Sequence, residues 1–384
     1  MYSMKKNSLI LMISLFLLQG ISGIQAQTET QAEKLIKAIK AKDCTNAKEL
    51  ASSVESVNYK DKNGKTLLMY GSLVNCVDVV KMLLDKGAKV DFQDVDGVSA
   101  MLLASEAGHT EMVKLLLDKG AKVDLKLNIG TTALIIAAVN GQTETVKLLL
   151  EKGAKLDMQR QDGCTALILA SQENYPEVVK LLLDKRANKD LKAKDGATAL
   201  YIASQEGNLE VVKLLLDKGA KVDLQADNGE SPLYIASANG HQEVVKLLIE
   251  KGAKVDLQRQ DGHSPLISSS KNGRIEVVKL LLNKGATVDL QAKNGSTALI
   301  MASQNGHSEA VKLLLENGAK IDLQAPNGVT ALISASLMGH KEVVKVLLNK
   351  GAKIDLHAST GQTALDVAAN SEIKNMLTSY MKKK

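Results

Sequence analysis

The stretch that decides the fold is Asp195–Asp223, DGATALYIASQEGNLEVVKLLLDKGAKVD. Asp195-Gly196 is a tight-turn dipeptide. Thr198 stands where a hydroxyl can cap a helix running through Ala199, Leu200, Ile202 and Ala203. Gly207-Asn208 breaks that helix. Val211, Val212, Leu214 and Leu215 then fall at helical spacing in a second one. Gly219 supplies the left-handed residue that ends it. Val222-Asp-Leu-Gln225 is expected to run extended into the next Asp-Asn-Gly turn. Each helix has only about two to three turns, too short to be stable alone.

Working outward, the unit recurs without drift. Gly64, Gly97, Gly130, Gly163, Gly196, Gly229, Gly262, Gly295, Gly328 and Gly361 are each 33 residues apart. Thr or Ser follows two positions later in every copy. A second series, from Gly87 to Gly351, keeps the same spacing and is interrupted only by Arg186. One copy cannot bury its apolar faces, but stacked copies share a continuous quasi-linear core. The fold class is therefore all-α: a solenoid of helix-turn-helix units joined by turn fingers. About ten copies packed ~8–10 Å apart give a gently curved rod of the order of 100 Å.

The remaining composition narrows the function. Of 384 residues, 45% are hydrophobic and 24% charged, the balance of an ordinary globular chain. Aromatics are 2%, with no Trp, so stacking platforms for bases, sugars or flavins are scarce. The formal charge is +6. That excess is too mild to imply nucleic acid. Lys5 and Lys6 precede the apolar run Leu9–Leu18, which is broken by Gln19 and Gly20 and ends at the small residue Ala26. This is the order of a secretory signal peptide over residues 1–26. The run is well short of the ~20 residues that span a bilayer. The expected mature chain begins at Gln27, is soluble and monomeric, and meets a membrane only through the leader. No segment beyond the leader directs further export, which favours a periplasmic location over full secretion.

The pattern D-G-x-T-A-L-x-x-A-x-x-x-G-x-x-E-V-V-K-L-L-L-x-x-G-A-x-V-D resembles the ankyrin repeat over about Asn58–Ala369. Residues 27–63 resemble a degenerate capping helix pair, with Gln31–Lys42 and Thr45–Val54 as its helices. Residues 64–360 carry the repeats. Residues 361–384 resemble a C-terminal cap and basic tail, with a helix opening at Thr363–Ala369 and a second at Glu372–Tyr380. With a leader in front, the chain resembles exported bacterial ankyrin-repeat proteins. One departure is systematic. The family's Thr-Pro-Leu-His tetrapeptide becomes Thr-Ala-Leu-Ile, as at Thr297–Ile300, and Tyr201 and Tyr234 also hold the His place. Apolar packing is expected to replace the hydrogen bonds that His makes.

The resemblance implies protein binding through turn tips and the inner face of the first helices, without cofactor, metal or small-molecule substrate. Most tips are polar. Leu127 and Ile129 are apolar where other copies are polar or small, Val139 replaces a Gln seen in Gln172 and Gln205, and Val95 lies on the neighbouring tip. With Arg160 beside them, these residues form the first candidate partner site; Leu337-Met338 is a second. The alternative is that Leu127 and Ile129 pack on each other between fingers.

Recurrent charges suggest other chemistry and a plainer account of each. Glu111, Glu144, Glu177 and their successors suit helix N-termini and stand three residues before Lys, at ion-pair spacing. No such carboxylate has the singular environment of a catalytic acid, so no enzyme is expected. Lys86, Lys119, Lys152, Lys218, Lys251, Lys284 and Lys350 end the second helices. They could attract anionic envelope polymers, which is the alternative function. A third reading is a secreted factor acting on a host or competing cell. His109, His241, His307 and His340 sit at inter-helix turns too far apart to share a metal. His263 and His357 are expected to be exposed. Cys44 and Cys76 each lie at an inter-helix turn. An exported chain meets an oxidising compartment, where a disulfide between them would lock the cap. Stacked equivalents are too distant for the ~5.5 Å Cα separation of a bridge, so it requires a local closing. Cys164 is expected to be unpaired. Arg186 predicts a soft joint near Lys185–Asp190, because a side chain in the left-handed region costs on the order of 1 kcal/mol.

Overall fold

The computed structural model describes residues 30–382. The expected leader, residues 1–26, and the last two lysines of the tail lie outside the described residues. Two layers of antiparallel short helices run from Gln31 to Met381. The cap contributes α1 (Gln31–Lys40) and α2 (Cys44–Ser53). The first full repeat contributes α3 (Leu67–Leu73) and α4 (Val77–Asp85). The same pair recurs to Lys341–Asn349, and Ser371–Met381 closes the array. Among the described residues there is no β-strand beyond isolated bridges, as at Lys126 and Thr132.

Local chemistry sets these boundaries. The Thr198 hydroxyl accepts the Tyr201 N–H, and Thr132, Thr165 and Thr297 cap their helices in the same way. These bonds satisfy amide donors that the helix itself leaves orphaned. The first helices pack on one another through residues that are small and wholly buried, such as Ala104, Ala137, Ala170, Ala203 and Ala236. The second helices meet through Val and Leu. Smaller side chains on one layer bring those helices closer, so the rod bends with first helices and fingers on its inner side. The adjoining Ser column (Ser171, Ser204, Ser237 and others) is buried with no hydrogen-bond partner for its hydroxyls, and Ala138 holds the same place in one copy.

Two expected elements differ. Val222-Asp223 is a turn closed by the Leu224 N–H on the Lys221 carbonyl (3.3 Å), because Asp223 is drawn to the Lys254 amide (3.1 Å). Thr363–Ala369 makes a turn rather than a helix. The Asp366 carboxylate takes both the Thr363 amide and hydroxyl, and the Ala369 N–H leaves to bond Ser336 of the preceding repeat (3.0 Å). The second cap helix also begins one residue early, at Cys44.

The junctions are stitched by side chains at fixed offsets. Asp91, Asp124, Asp157, Asp190 and their successors accept a backbone N–H located 31 residues later. Gln159 donates both to the Gly163 carbonyl (2.7 Å) and to Lys192 of the next finger (2.9 Å), and Gln225, Gln258, Gln291 and Gln324 repeat the pattern. Finger backbones pair too, as Lys194 N–H to Asp162 O (2.9 Å). Gly262 shows why the fingers need glycine. At φ 84° its missing Cβ would lie 2.6 Å from the Lys293 nitrogen. Arg186 is indeed left-handed, at φ 68°. The stitches cross that joint unbroken, however: Asn188 N–H binds Asp157 (3.0 Å) and Lys221 N–H binds Asp190 (3.0 Å).

Candidate interaction surface

The finger row and the exposed parts of the first helices form the inner surface. Val95 is 75% exposed and Ile129 42%, on consecutive fingertips. Their carbonyls are used, by the Asn128 side chain (3.0 Å) and the Gln161 amide (2.9 Å) respectively. The backbones are therefore fixed while the apolar side chains face outward. Leu127 and Val139 do not belong with them. Both are half-buried and packed on the main core. The Leu127 N–H donates to Thr131 (2.9 Å), which turns its side chain down under the finger. Arg160 is tied to Asp162 two residues away, so its charge is not free. Leu337 and Met338 are 51% and 47% exposed. They lie at the other end of the array, beside the turn that replaces the expected cap helix. The candidate residues thus form two separate patches.

The Lys column is largely neutralised. Lys119, Lys152, Lys218 and Lys251 each pair with an Asp 34 residues earlier, at 2.5–2.7 Å. Each of those carboxyls is held below the usual carboxylate range, first by the hydrogen bond from its lysine. Lys86 instead binds the Ala51 and Ser52 carbonyls at the end of α2. Of the expected pairs within a helix, only Glu309–Lys312 forms among the described residues (3.2 Å).

The turn histidines are stitches. His109, His241, His307 and His340 place Nε2 at 2.9–3.1 Å from a carbonyl 36 residues earlier. Gln142, Asn208 and Arg274 do the same where His is absent. Cys76 holds this place at the first junction, and it is bonded to Cys44 with a Cα separation of 5.4 Å. The pair is 32 residues apart rather than one full period. Cys164 is free, and burial pushes its thiol up to about 12. Among the described residues no three His, Cys, Asp or Glu side chains converge as metal ligands. No helix among them is long and apolar enough to cross a membrane.

One polar network was not legible in advance. The buried Tyr201 hydroxyl donates to Glu230 (2.7 Å), and Arg259 Nη1 reaches the same carboxylate (2.8 Å). Arg259 also grips Asp261 through two nitrogens and lies 5.5 Å from the Tyr234 ring centroid. The His263 ring approaches Asp261 at 2.9 Å with only 15% of its side chain exposed, so His263 is not the open residue expected. His357 is exposed. Burial, then the bond to Glu230, drives the Tyr201 hydroxyl well above its ordinary value. The hydrogen bond from Arg259 holds Asp261 well below the carboxylate range. The Tyr201 result also corrects the expectation of apolar packing at the His place, because one copy there keeps a hydrogen bond to the next. The available signal was that Glu230 and His263 follow the finger glycine where Val98, Ala197, Ser296 and Val329 stand in other copies.

A stack of helix pairs with capped starts, glycine fingers and side-chain stitches between equivalent positions defines a helical repeat scaffold. A family model described as ankyrin repeats (3 copies) matches overlapping segments that together span residues 1–383. The chain belongs to the ankyrin-repeat family. None of the curated proteins matches the sequence. Among solved structures, it is similar to the human ASB11 ankyrin repeat domain, at 28% identity and a TM-score of 0.53. That match covers 56% of this chain and 98% of the other.

Proposed function

We propose that this protein is a non-catalytic, monomeric scaffold that works outside the cytoplasm, in the periplasm, and binds a protein partner across its fingertips. The observation that carries the reading is the pair Val95 and Ile129, exposed on adjacent tips of a mostly polar finger row. Exposed apolar groups rimmed by polar residues are the usual anchors of protein recognition. Placement outside the cytoplasm is supported by the order of Lys5-Lys6, Leu9–Leu18 and Ala26, and by a disulfide, which persists in oxidising compartments. Binding of anionic polymers through the Lys column is the weaker reading, because four of those lysines are already paired with Asp.

The test is affinity capture from the source organism's envelope fraction with the chain from Gln27 onward, beside a Val95→Ser, Ile129→Asp variant, at two salt concentrations. A discrete protein retained at higher salt and lost with the variant supports the reading. Recovery of salt-sensitive polymer alone, equal for both baits, refutes it.

A further inference from the structure

The inter-repeat stitch at the start of the second helix is a hydrogen bond in the His, Gln, Asn and Arg copies, but covalent at the first junction. Cys76 stands at the N-cap of α4 and accepts no capping bond; its sulfur is joined to Cys44, the first residue of α2. Within the cap it is α2 that needs the bond, because α1 is anchored by Ala32, Leu35, Ile36, Ala38 and Ile39. Helix α2 buries only Ala47 and Ala51, whereas Leu209–Asp217 buries Val211, Val212, Leu215 and Leu216. Apart from Leu50, half-buried against the core, its other ties are a Lys48–Asp78 pair with side chains 50% and 67% exposed, and the Lys86 bonds to its last carbonyls. Exposed ion pairs add little.

We propose that Cys44–Cys76 is a redox clasp: a dithiol reductant opens the N-terminal cap and bares the outer face of α3 and α4 while the later repeats stay folded. This goes beyond partner binding and does not depend on it. Cys44 is part-exposed and Cys76 is 1% exposed, so the incoming thiolate attacks Cys44 Sγ. The S–S bond breaks, and Cys76 leaves as a thiolate at the N-terminus of α4, where unpaired amides and the helix dipole favour negative charge. The second thiol of the reductant then displaces Cys44 from the mixed disulfide. Two electrons pass to the protein, two protons end on its sulfurs, and the reductant becomes a cyclic disulfide. The loop closed by the bridge spans 32 residues. With α3 still folded about 22 residues of that loop are freed, so losing the bridge multiplies the opening constant of the cap by about 300 in the chain-entropy account.

The experiment is hydrogen exchange by mass spectrometry on the full chain, with and without dithiothreitol under native conditions, with thiols counted in parallel. The expected result is a rise from one thiol to three, and exchange over residues 31–53 faster by about 300-fold. Exchange over Leu209–Asp217 stays unchanged. A Cys76→Ala variant without reductant should reproduce the fast exchange. Unchanged exchange over 31–53 after full reduction overturns the proposal. So does loss of protection along the entire array at once, or a bridge that native dithiothreitol does not reduce.

Discussion

Removing the Glu230 carboxylate should loosen two junctions at once. Glu230 is 9% exposed and accepts from Tyr201 of the repeat before it and Arg259 of the repeat after it. In Glu230→Ala the buried Tyr201 hydroxyl loses its charged acceptor and is left with Asn228, which costs about 1–3 kcal/mol. The charge-assisted bond to Arg259 adds less than its full ~1.5–3 kcal/mol, because that side chain is 33% exposed and keeps Asp261. The expected local loss is about 3 kcal/mol. Tyr201→Phe alone should cost about 1–2 kcal/mol, and the double-mutant cycle should show a coupling of about 1 kcal/mol or more. A single global unfolding fit is unsuitable for a repeat array. The assay is therefore amide exchange in Ala199–Glu206 and Pro232–Asn239. The triple change Tyr201→Ile, Glu230→Ala, Arg259→Ala installs the residues of other copies, as in Ile168, Ala197 and Ala226. It should recover most of the loss, because replacing a buried ion pair wholesale is often near neutral. A coupling of zero, with Glu230→Ala no worse than the triple variant, would refute the reasoning.

Three further outcomes are expected. Burial raises the Glu106 carboxyl from 4.5 to about 7. The folded chain then holds a proton that the unfolded chain releases, so stability falls as pH rises from about 4.5 to about 7 and levels off above. Glu106→Gln should flatten that fall in amide protection over Ala100–Ala107 compared at about pH 5 and pH 8; an unaltered slope would place the proton elsewhere. Ser204→Ala removes a buried hydroxyl with no partner, and should slow local exchange as if stabilised by about 1 kcal/mol. Faster exchange would show that the hydroxyl is bonded after all. Arg186→Gly relieves a side chain at φ 68° and should raise the melting temperature of the array; no rise would count against strain at that joint.

Most of the local structure was legible in the sequence. The 33-residue period, the Thr and Ser caps, the finger glycines and the left-handed Arg186 follow from rules that act within a few residues. Those rules also failed locally, at the turn Val222-Asp223 where an extended run was expected, and at the last repeat. Thr363–Ala369 has a helical start, but Asn370 begins the next helix before a second turn can form.

What crosses a junction was decided by tertiary structure. Lys119 has Asp and Glu neighbours along the chain, yet pairs with Asp85, because the stacked repeat places that carboxylate beside its ammonium. Leu127 and Ile129 differ by two residues and share a fingertip, yet one is packed beneath and the other faces out, since the finger's hydrogen bonds fix which side chain points to the core. Tyr201, Glu230 and Arg259 are distant in sequence and meet only because three repeats superpose. A period specifies the backbone of every copy at once. The partner of each side chain depends on what occupies the equivalent place one repeat away, and that contact exists only when the stack has formed.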